Sequence, residues 1–277
     1  EVEIITDALA RKQMLPSGRW LWCGGTEWSK QPKNYSGAYN CTSTEVVDND
    51  AFGLMMDLAM MGSGTGAILE DNFISKLPVI RNYIQIDEVI DVGSSSAENR
   101  HERTYVDYRG NTVIIKVGDS RRGWVDAYQA TIDAATDFDF DNKRPVHIHV
   151  DLSSIRPAGE KLKGFGGTSN PIKLRDLFYR VAEILTAAVG RKLTAVECCL
   201  LIDEAATVVV AGNIRRSAGM RQFSFDNQQA NKAKDNLWQQ DAEGNWKIDP
   251  KRDALRMANH TRVYHKKPSL EEVTEAV

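Results

Sequence analysis

Val146-His-Ile-His-Val-Asp151 alternates apolar and polar residues without a break, and two apolar runs of helical period follow it at 172–189 and 194–210. A period of two marks a strand buried on one face, whereas recurrence at i, i+3 and i+4 marks a helix with one buried stripe. A chain that switches between these periods is expected to be α/β, with a largely parallel sheet wrapped by helices. The same switching occurs earlier. Phe52, Met55, Met56, Ala59 and Met60 predict a helix over 50–61, Gly62-Ser-Gly64-Thr-Gly66 breaks it, and Ala67-Ile-Leu69 begins a strand. Thr194 and Glu197 have the spacing of a capping box for the second apolar run, and Gly212 is placed to end it.

Residues 76–145 have a different texture. Gly93-Ser-Ser-Ser96 and a charged run over 98–103 lead into Thr104-Tyr-Val-Asp-Tyr108 and Thr112-Val-Ile-Ile-Lys-Val117, with Arg109-Gly-Asn111 between them. Two β-rich runs around such a turn predict a hairpin. A helix is expected over 120–136, with Trp124, Ala127, Tyr128 and Ile132 on one face. This block reads as an inserted α+β subdomain, dividing the chain into 1–75, 76–145 and 146–277. A second, exposed hairpin is expected over 238–248, where Trp238 and Trp246 flank Glu-Gly-Asn.

With 277 residues, 42% of them hydrophobic and 26% charged, the chain can bury a sizeable core in one large domain or two small ones. A net charge of −3 provides no general attraction to nucleic acid or an anionic membrane, so a phosphate-bearing partner must be held by local groups. No apolar run approaches the roughly 20 residues needed to span a bilayer. The first ten residues lack the basic and apolar regions of a signal peptide, and a cytoplasmic setting is expected. The four cysteines contain no Cys-x-x-Cys pair and are too few for a disulfide scaffold. Cys198 and Cys199 fall within an apolar run and read as core. Cys41 stands among polar residues in Tyr-Asn-Cys-Thr-Ser-Thr, where a semi-buried loop thiol and a reactive one are both open readings.

Two glycine-rich loops invite a nucleotide reading. A phosphate-binding loop follows a strand and opens a helix, so that the helix N-terminus faces the anion. The 62–66 loop has the reverse order and reads first as a turn that permits close backbone approach. Gly164-Phe-Gly-Gly-Thr-Ser-Asn-Pro171 has the favourable order, with Ser169 or Asn170 to cap and Pro171 at the helix start. Anion binding and a tight turn both fit it. Arg215 and Arg216, placed directly after an apolar helix, can clamp phosphate, stack on a base or cap the helix C-terminus. His147, His149 and Asp151 share one strand face, which reads as a solvated or hydrogen-bonded face, and no metal site is assigned.

Several motifs together resemble the large catalytic subunit of ribonucleotide reductases, most closely the monomeric, adenosylcobalamin-dependent (class II) type that reduces ribonucleoside triphosphates. They are Leu15-Pro-Ser-Gly18, Asn40-Cys41, Gly62-Ser-Gly-Thr-Gly66, Asp151-Leu-Ser-Ser-Ile-Arg-Pro157, Gly164-Phe-Gly-Gly-Thr168, Leu193-Thr-Ala-Val196 and Val210-Ala-Gly-Asn-Ile-Arg-Arg-Ser-Ala218, in that order along the chain. The resemblance implies an α/β fold that forms the first half of the family's ten-stranded barrel, with 76–145 similar to the inserted subdomain that holds an effector without a partner subunit.

The resemblance also implies roles. Cys41 matches the first of two thiols that reduce the ribose and close to a disulfide. Ser17, Asn40, Ser63 and Gly64 match positions lining the substrate ribose and phosphates. Gly167, Thr168 and Ser169 match the first specificity loop, Asn213, Arg215 and Arg216 the second, and Asp48 an effector-ribose contact. The implied partners are a ribonucleoside triphosphate substrate, a deoxynucleoside triphosphate effector, adenosylcobalamin, thioredoxin as reductant and the remainder of the reductase chain; no nucleic acid or membrane is expected. The family's Asn-Pro-Cys-Gly-Glu motif, with its radical-forming cysteine, does not occur in this sequence, nor do the second active-site thiol and the C-terminal redox cysteines. The chain is therefore expected to be an N-terminal part, beginning inside the natural sequence, that is inactive alone. The alternatives are a nucleotide-sensing module without chemistry and, more remotely, an α/β metallohydrolase using His147, His149 and Asp151.

Overall fold

The computed structural model describes residues 1–160, 171–209 and 218–276. They divide into two compact units, 1–40 and 41–277. The first contains α1 (Val2–Ala10), α2 (Gly18–Cys23) and a 3₁₀ segment (Pro32–Ala38).

The second unit carries the α/β pattern anticipated from the sequence. In chain order its elements are β1 (Cys41–Glu45), α3 (Asp50–Met60), β2 (Gly64–Ile68), α4 (Asp71–Ile74), β3 (Ile84–Ile90), β4 (Tyr105–Arg109), β5 (Thr112–Lys116), α5 (Arg121–Ala134) and β6 (Val146–Asp151). They continue with α6 (Ile172–Ala187), α7 (Ala195–Val209), β7 (Gly219–Ser224), α8 (Gln228–Asn231), β8 (Trp238–Gln240), β9 (Trp246–Ile248), β10 (Ala258–Val263) and α9 (Leu270–Ala276). One sheet runs β1-β2-β7-β10 and every pairing in it is parallel. A second runs β3-β6-β5-β4, parallel except for the β4–β5 hairpin. The strands β8 and β9 form the aromatic hairpin expected around Gly244.

Strand β6 shows how its sequence period becomes packing. Val146, Ile148 and Val150 are buried against the helices, while His147, His149 and Asp151 face the other way. The strand lies between β3 and β5, so 146–151 completes the sheet begun by residues of the preceding block. The core is continuous from Phe52, Met55 and Met56 of α3 through Tyr128 of α5 to Phe178 of α6 and Leu201 of α7. Burying each such large side chain contributes about 1.5–3 kcal/mol. Two polar contacts fix the helices within it. The Tyr128 hydroxyl donates to the Leu201 carbonyl at 2.9 Å, and the Thr186 hydroxyl donates to the Ile84 carbonyl and accepts from the Ile84 N–H, both at 3.0 Å. The capping box also forms, with the Glu197 carboxylate accepting from the Thr194 N–H at 2.8 Å.

The main difference from expectation is at β2, which starts at Gly64 rather than Ala67. Helix α3 is closed by a two-bond C-terminal motif in which Ser63 N–H donates to the Leu58 carbonyl and Gly62 N–H to the Ala59 carbonyl, with Gly62 at φ +72°. The helix therefore stops in two residues and the glycine-rich stretch is free to pair as a strand. A side chain at Gly66 would place its Cβ 2.9 Å from the Thr42 carbonyl, so glycine there permits the close approach of β1.

Candidate active site

The starts of four parallel strands lie side by side. Cys41 is in register with Gly64, Thr65 with Gly219, and Gly219 with Ala258. The sequence-predicted residues Cys41, Ser63 and Gly64 thus meet at one end of the sheet. The Cys41 residue is exposed at the edge strand, whereas Ser63 is buried. Between them the Thr42 hydroxyl donates to the Gly64 carbonyl at 3.1 Å and ties the two strand starts together.

Within the first unit, Ser17 caps α2 and its hydroxyl accepts from Trp20 N–H at 3.5 Å. Arg19 is buried and its Nε donates to Asn40 Oδ1 at 3.0 Å, while its Nη1 donates to the Gly37 carbonyl at 2.6 Å. The amide of Asn40, the residue before Cys41, is therefore oriented by an arginine two residues from Ser17. Sequence reading missed Arg19. An arginine in a polar stretch reads as surface, and its burial becomes visible only with its distant acceptors.

Asp48 lies beyond the other end of β1 from Cys41. Its carboxylate accepts from Ala51 N–H at 3.2 Å and so serves the start of α3. Gly167, Thr168, Ser169, Asn213, Arg215 and Arg216 lie outside the described residues, as do the expected caps and helix end at Asn170 and Gly212.

Beneath the strand starts sits a buried charge pair that sequence reading also missed. Asp203 of α7 and Arg221 of β7 have fully buried side chains joined at 2.6 Å. Burial pushes the Asp203 carboxyl up to about 6 despite the opposing pull of Arg221. Nearby, burial together with Lys234 and Arg221 pushes His260 down to about 4. The vicinal thiols Cys198 and Cys199 are buried and raised by desolvation, which keeps them protonated and inert.

The histidine face of β6 is a hydrogen-bonded one. A bulge between Ile86 and Glu88 turns Asp87 toward it, and the carboxylate pairs with His147 Nδ1 at 2.9 Å and His149 Nε2 at 3.5 Å. Burial works against the charge on Asp87, but hydrogen bonds from His147 and Gln85 hold its carboxyl below the usual range. Among the described residues no group of three His, Cys, Asp or Glu side chains is arranged to hold a metal ion. Among the same residues no helix is long and apolar enough to cross a membrane.

The family described as the insertion domain of B12-dependent ribonucleotide reductase matches residues 78–185. Over these residues the chain is similar to the B12-dependent ribonucleotide reductases. It is 33% identical over 233 residues to the adenosylcobalamin-dependent ribonucleoside-triphosphate reductase of Levilactobacillus brevis, which covers 73% of this chain and 31% of that protein. The same-named reductases of Lactobacillus helveticus and Lactobacillus leichmannii are each 30% identical, covering 77% of this chain and 32% of theirs. A crystal structure of a B12-dependent (class II) ribonucleotide reductase superposes with a TM-score of 0.71 at 22% identity, over 94% of this chain and 37% of that one. The chain thus spans about a third of the length of the curated reductases it matches. The α/β reading with a parallel sheet holds, and the matched insertion domain includes the β3-β6-β5-β4 sheet.

Proposed function

We propose that this chain is the part of an adenosylcobalamin-dependent ribonucleoside-triphosphate reductase that binds substrate, carries one reducing thiol and reads a deoxynucleoside triphosphate effector. The observation that supports it most is the β1–β2 register, which sets Cys41 beside Gly64 at the starts of adjacent strands. Replacing a ribose 2′-hydroxyl by hydrogen takes two electrons. Two thiols supply them: two S–H bonds break, one S–S bond forms, one hydrogen ends on C2′ and the other leaves with the hydroxyl as water. Cys41 is one of these thiols, and the second thiol, together with the radical-forming cysteine, comes from the remainder of the reductase chain. Thioredoxin returns the disulfide to thiols, and the setting is the cytoplasm.

In this reading the backbone at Ser63 and Gly64 contacts the ribose and phosphates, and Ser17 and Asn40 each serve as a further substrate contact. The hydrogen bond from Arg19 holds the Asn40 carbonyl oxygen in place, leaving its amide N–H groups for substrate. Asp48, Gly167, Thr168, Ser169, Asn213, Arg215 and Arg216 serve the effector and base choice, and the parallel sheet β1-β2-β7-β10 is barrel wall that the rest of the reductase closes.

Adenosylcobalamin supplies the radical that initiates the reaction. Two surface depressions among the described residues, of about 440 Å³ beside Lys173, Arg180 and Glu204 and about 470 Å³ beside Tyr105, Asp107 and Lys116, are lined largely by charged and polar side chains. Neither fits a corrinoid, so its contacts are assigned to the complete reductase and no step is derived through it.

The test is Cys41→Ser in the complete reductase. Multiple turnover should cease while nucleotide affinity stays within about twofold, because the hydroxyl keeps the shape but cannot form a disulfide. Normal steady-state reduction would remove Cys41 from the chemistry.

A further inference from the structure

Arg221 and Asp203 are both fully buried, which is costly for two charges unless their contacts are close and numerous. The guanidinium makes such contacts. Its Nε donates to Asp203 Oδ1 at 3.0 Å and its Nη2 to the same oxygen at 2.6 Å, while Nη1 donates to the Thr65 carbonyl at 2.7 Å and the Met220 carbonyl at 3.0 Å. The other side of the pair is less complete. Among the described residues Asp203 Oδ2 and the Thr65 hydroxyl have no hydrogen-bond partner, although both are buried. Apolar residues of similar volume often hold two elements together as firmly as a buried ion pair. Stability alone does not account for the charges.

What an apolar pair would not supply is the bond to Thr65. The Thr65 N–H donates to the Ala218 carbonyl at 2.8 Å, at the foot of β7, and its own carbonyl accepts from Arg221. Both backbone polar groups of Thr65 are thus held from the β7 side. The preceding carbonyl, that of Gly64, is held from the β1 side by Thr42, next to Cys41. Gly219 completes the arrangement, since a Cβ there would lie 2.9 Å from Arg221 Nη2 and displace the guanidinium.

We propose that Arg221, anchored by Asp203, is a positioning residue that sets the Ser63-Gly64-Thr65 backbone at the height where the substrate phosphates and ribose are bound. The proposal rests on the reading of Ser63 and Gly64 as substrate contacts. Arg221 itself is buried and touches no substrate. It acts through one carbonyl, and its effect is geometric.

The double variant Asp203→Leu/Arg221→Met in the complete protein separates position from stability. It should still fold cooperatively with a midpoint near that of the wild type, because apolar volume replaces the buried pair and offsets the donor lost by the Thr65 and Met220 carbonyls. Amide exchange over 63–68 should nevertheless rise roughly tenfold, while exchange over 113–117 in the other sheet stays as it was. The Kd for a ribonucleoside triphosphate should rise by roughly tenfold as well. Arg221→Lys, which retains a charge beside Asp203 but lacks the second arm for Thr65, should show the same local rise in exchange. Unchanged exchange over 63–68 in both variants would overturn the positioning role. Raised exchange with unchanged nucleotide affinity would leave Arg221 setting this backbone but overturn the reading of Ser63 and Gly64 as substrate contacts.

Discussion

Cys41 stands directly across the β1–β2 ladder from Gly64, and the two strands stay close because Gly66, two residues on, has no side chain to meet the Thr42 carbonyl. The position of the thiol therefore depends on a glycine outside the group of residues expected to touch substrate. Gly66→Ala should destabilise the fold by about 1–3 kcal/mol, because the added methyl overpacks against a backbone carbonyl that cannot move without the whole strand. Denaturant unfolding measures this. A change below about 0.5 kcal/mol, within the ordinary range of surface substitutions, would mean that the strands part without cost.

Arg19 should matter more than its place in a polar stretch suggests. Arg19→Met keeps most of the volume but leaves the Gly37 carbonyl and Asn40 Oδ1 without this donor. A stability loss of about 1–3 kcal/mol is expected for the unpaired buried acceptor. Nucleotide affinity of the complete reductase should fall in Arg19→Met even at temperatures where the variant is fully folded. Unaltered affinity would detach Asn40 from substrate binding.

His260 makes the stability depend on pH in a definite direction. Its folded value near 4 lies below the ordinary 6.5, so between these values the unfolded chain binds more proton. Stability contributed by the neutral ring is complete above about pH 6.5 and is lost as pH falls toward 4. Asp203, raised to about 6, works in the opposite sense over an overlapping window, so the contribution of His260 is isolated by difference. Unfolding midpoints of the wild type and His260→Gln, measured from pH 7.5 to 4, should diverge steadily below pH 6.5, with the wild type losing more. Parallel curves would mean that the ring takes up its proton as readily in the fold as in the unfolded chain.

Much of this fold was legible in advance, and each success has a local cause. The alternation over 146–151, the period of α5 to α7 and the Thr194–Glu197 box report on residues that touch their own neighbours. The start of β2 was missed because Gly64-Thr-Gly66 has the composition of a turn, and only the partner strands Cys41–Glu45 and Gly219–Ser224 make it a strand. Of the site residues, Cys41 and Gly64 face each other across the β1–β2 ladder, a juxtaposition that depends on strand pairing and that local sequence does not report. Arg19, Asp203 and Arg221 escaped notice for one reason: a buried charge is recognisable by its partner, and those partners lie 18 or more residues away.

The proposal that Cys41 gives up its hydrogen during nucleotide reduction is tested by one single-turnover experiment. The complete reductase, reduced beforehand and freed of external reductant, is mixed with adenosylcobalamin and a ribonucleoside triphosphate, quenched, and treated with an alkylating reagent under denaturing conditions. If the account holds, Cys41 is protected from alkylation in proportion to the deoxynucleotide formed and is recovered in a disulfide-linked peptide, while Cys198 and Cys199 are alkylated throughout. Deoxynucleotide formed with Cys41 still fully alkylated would contradict it.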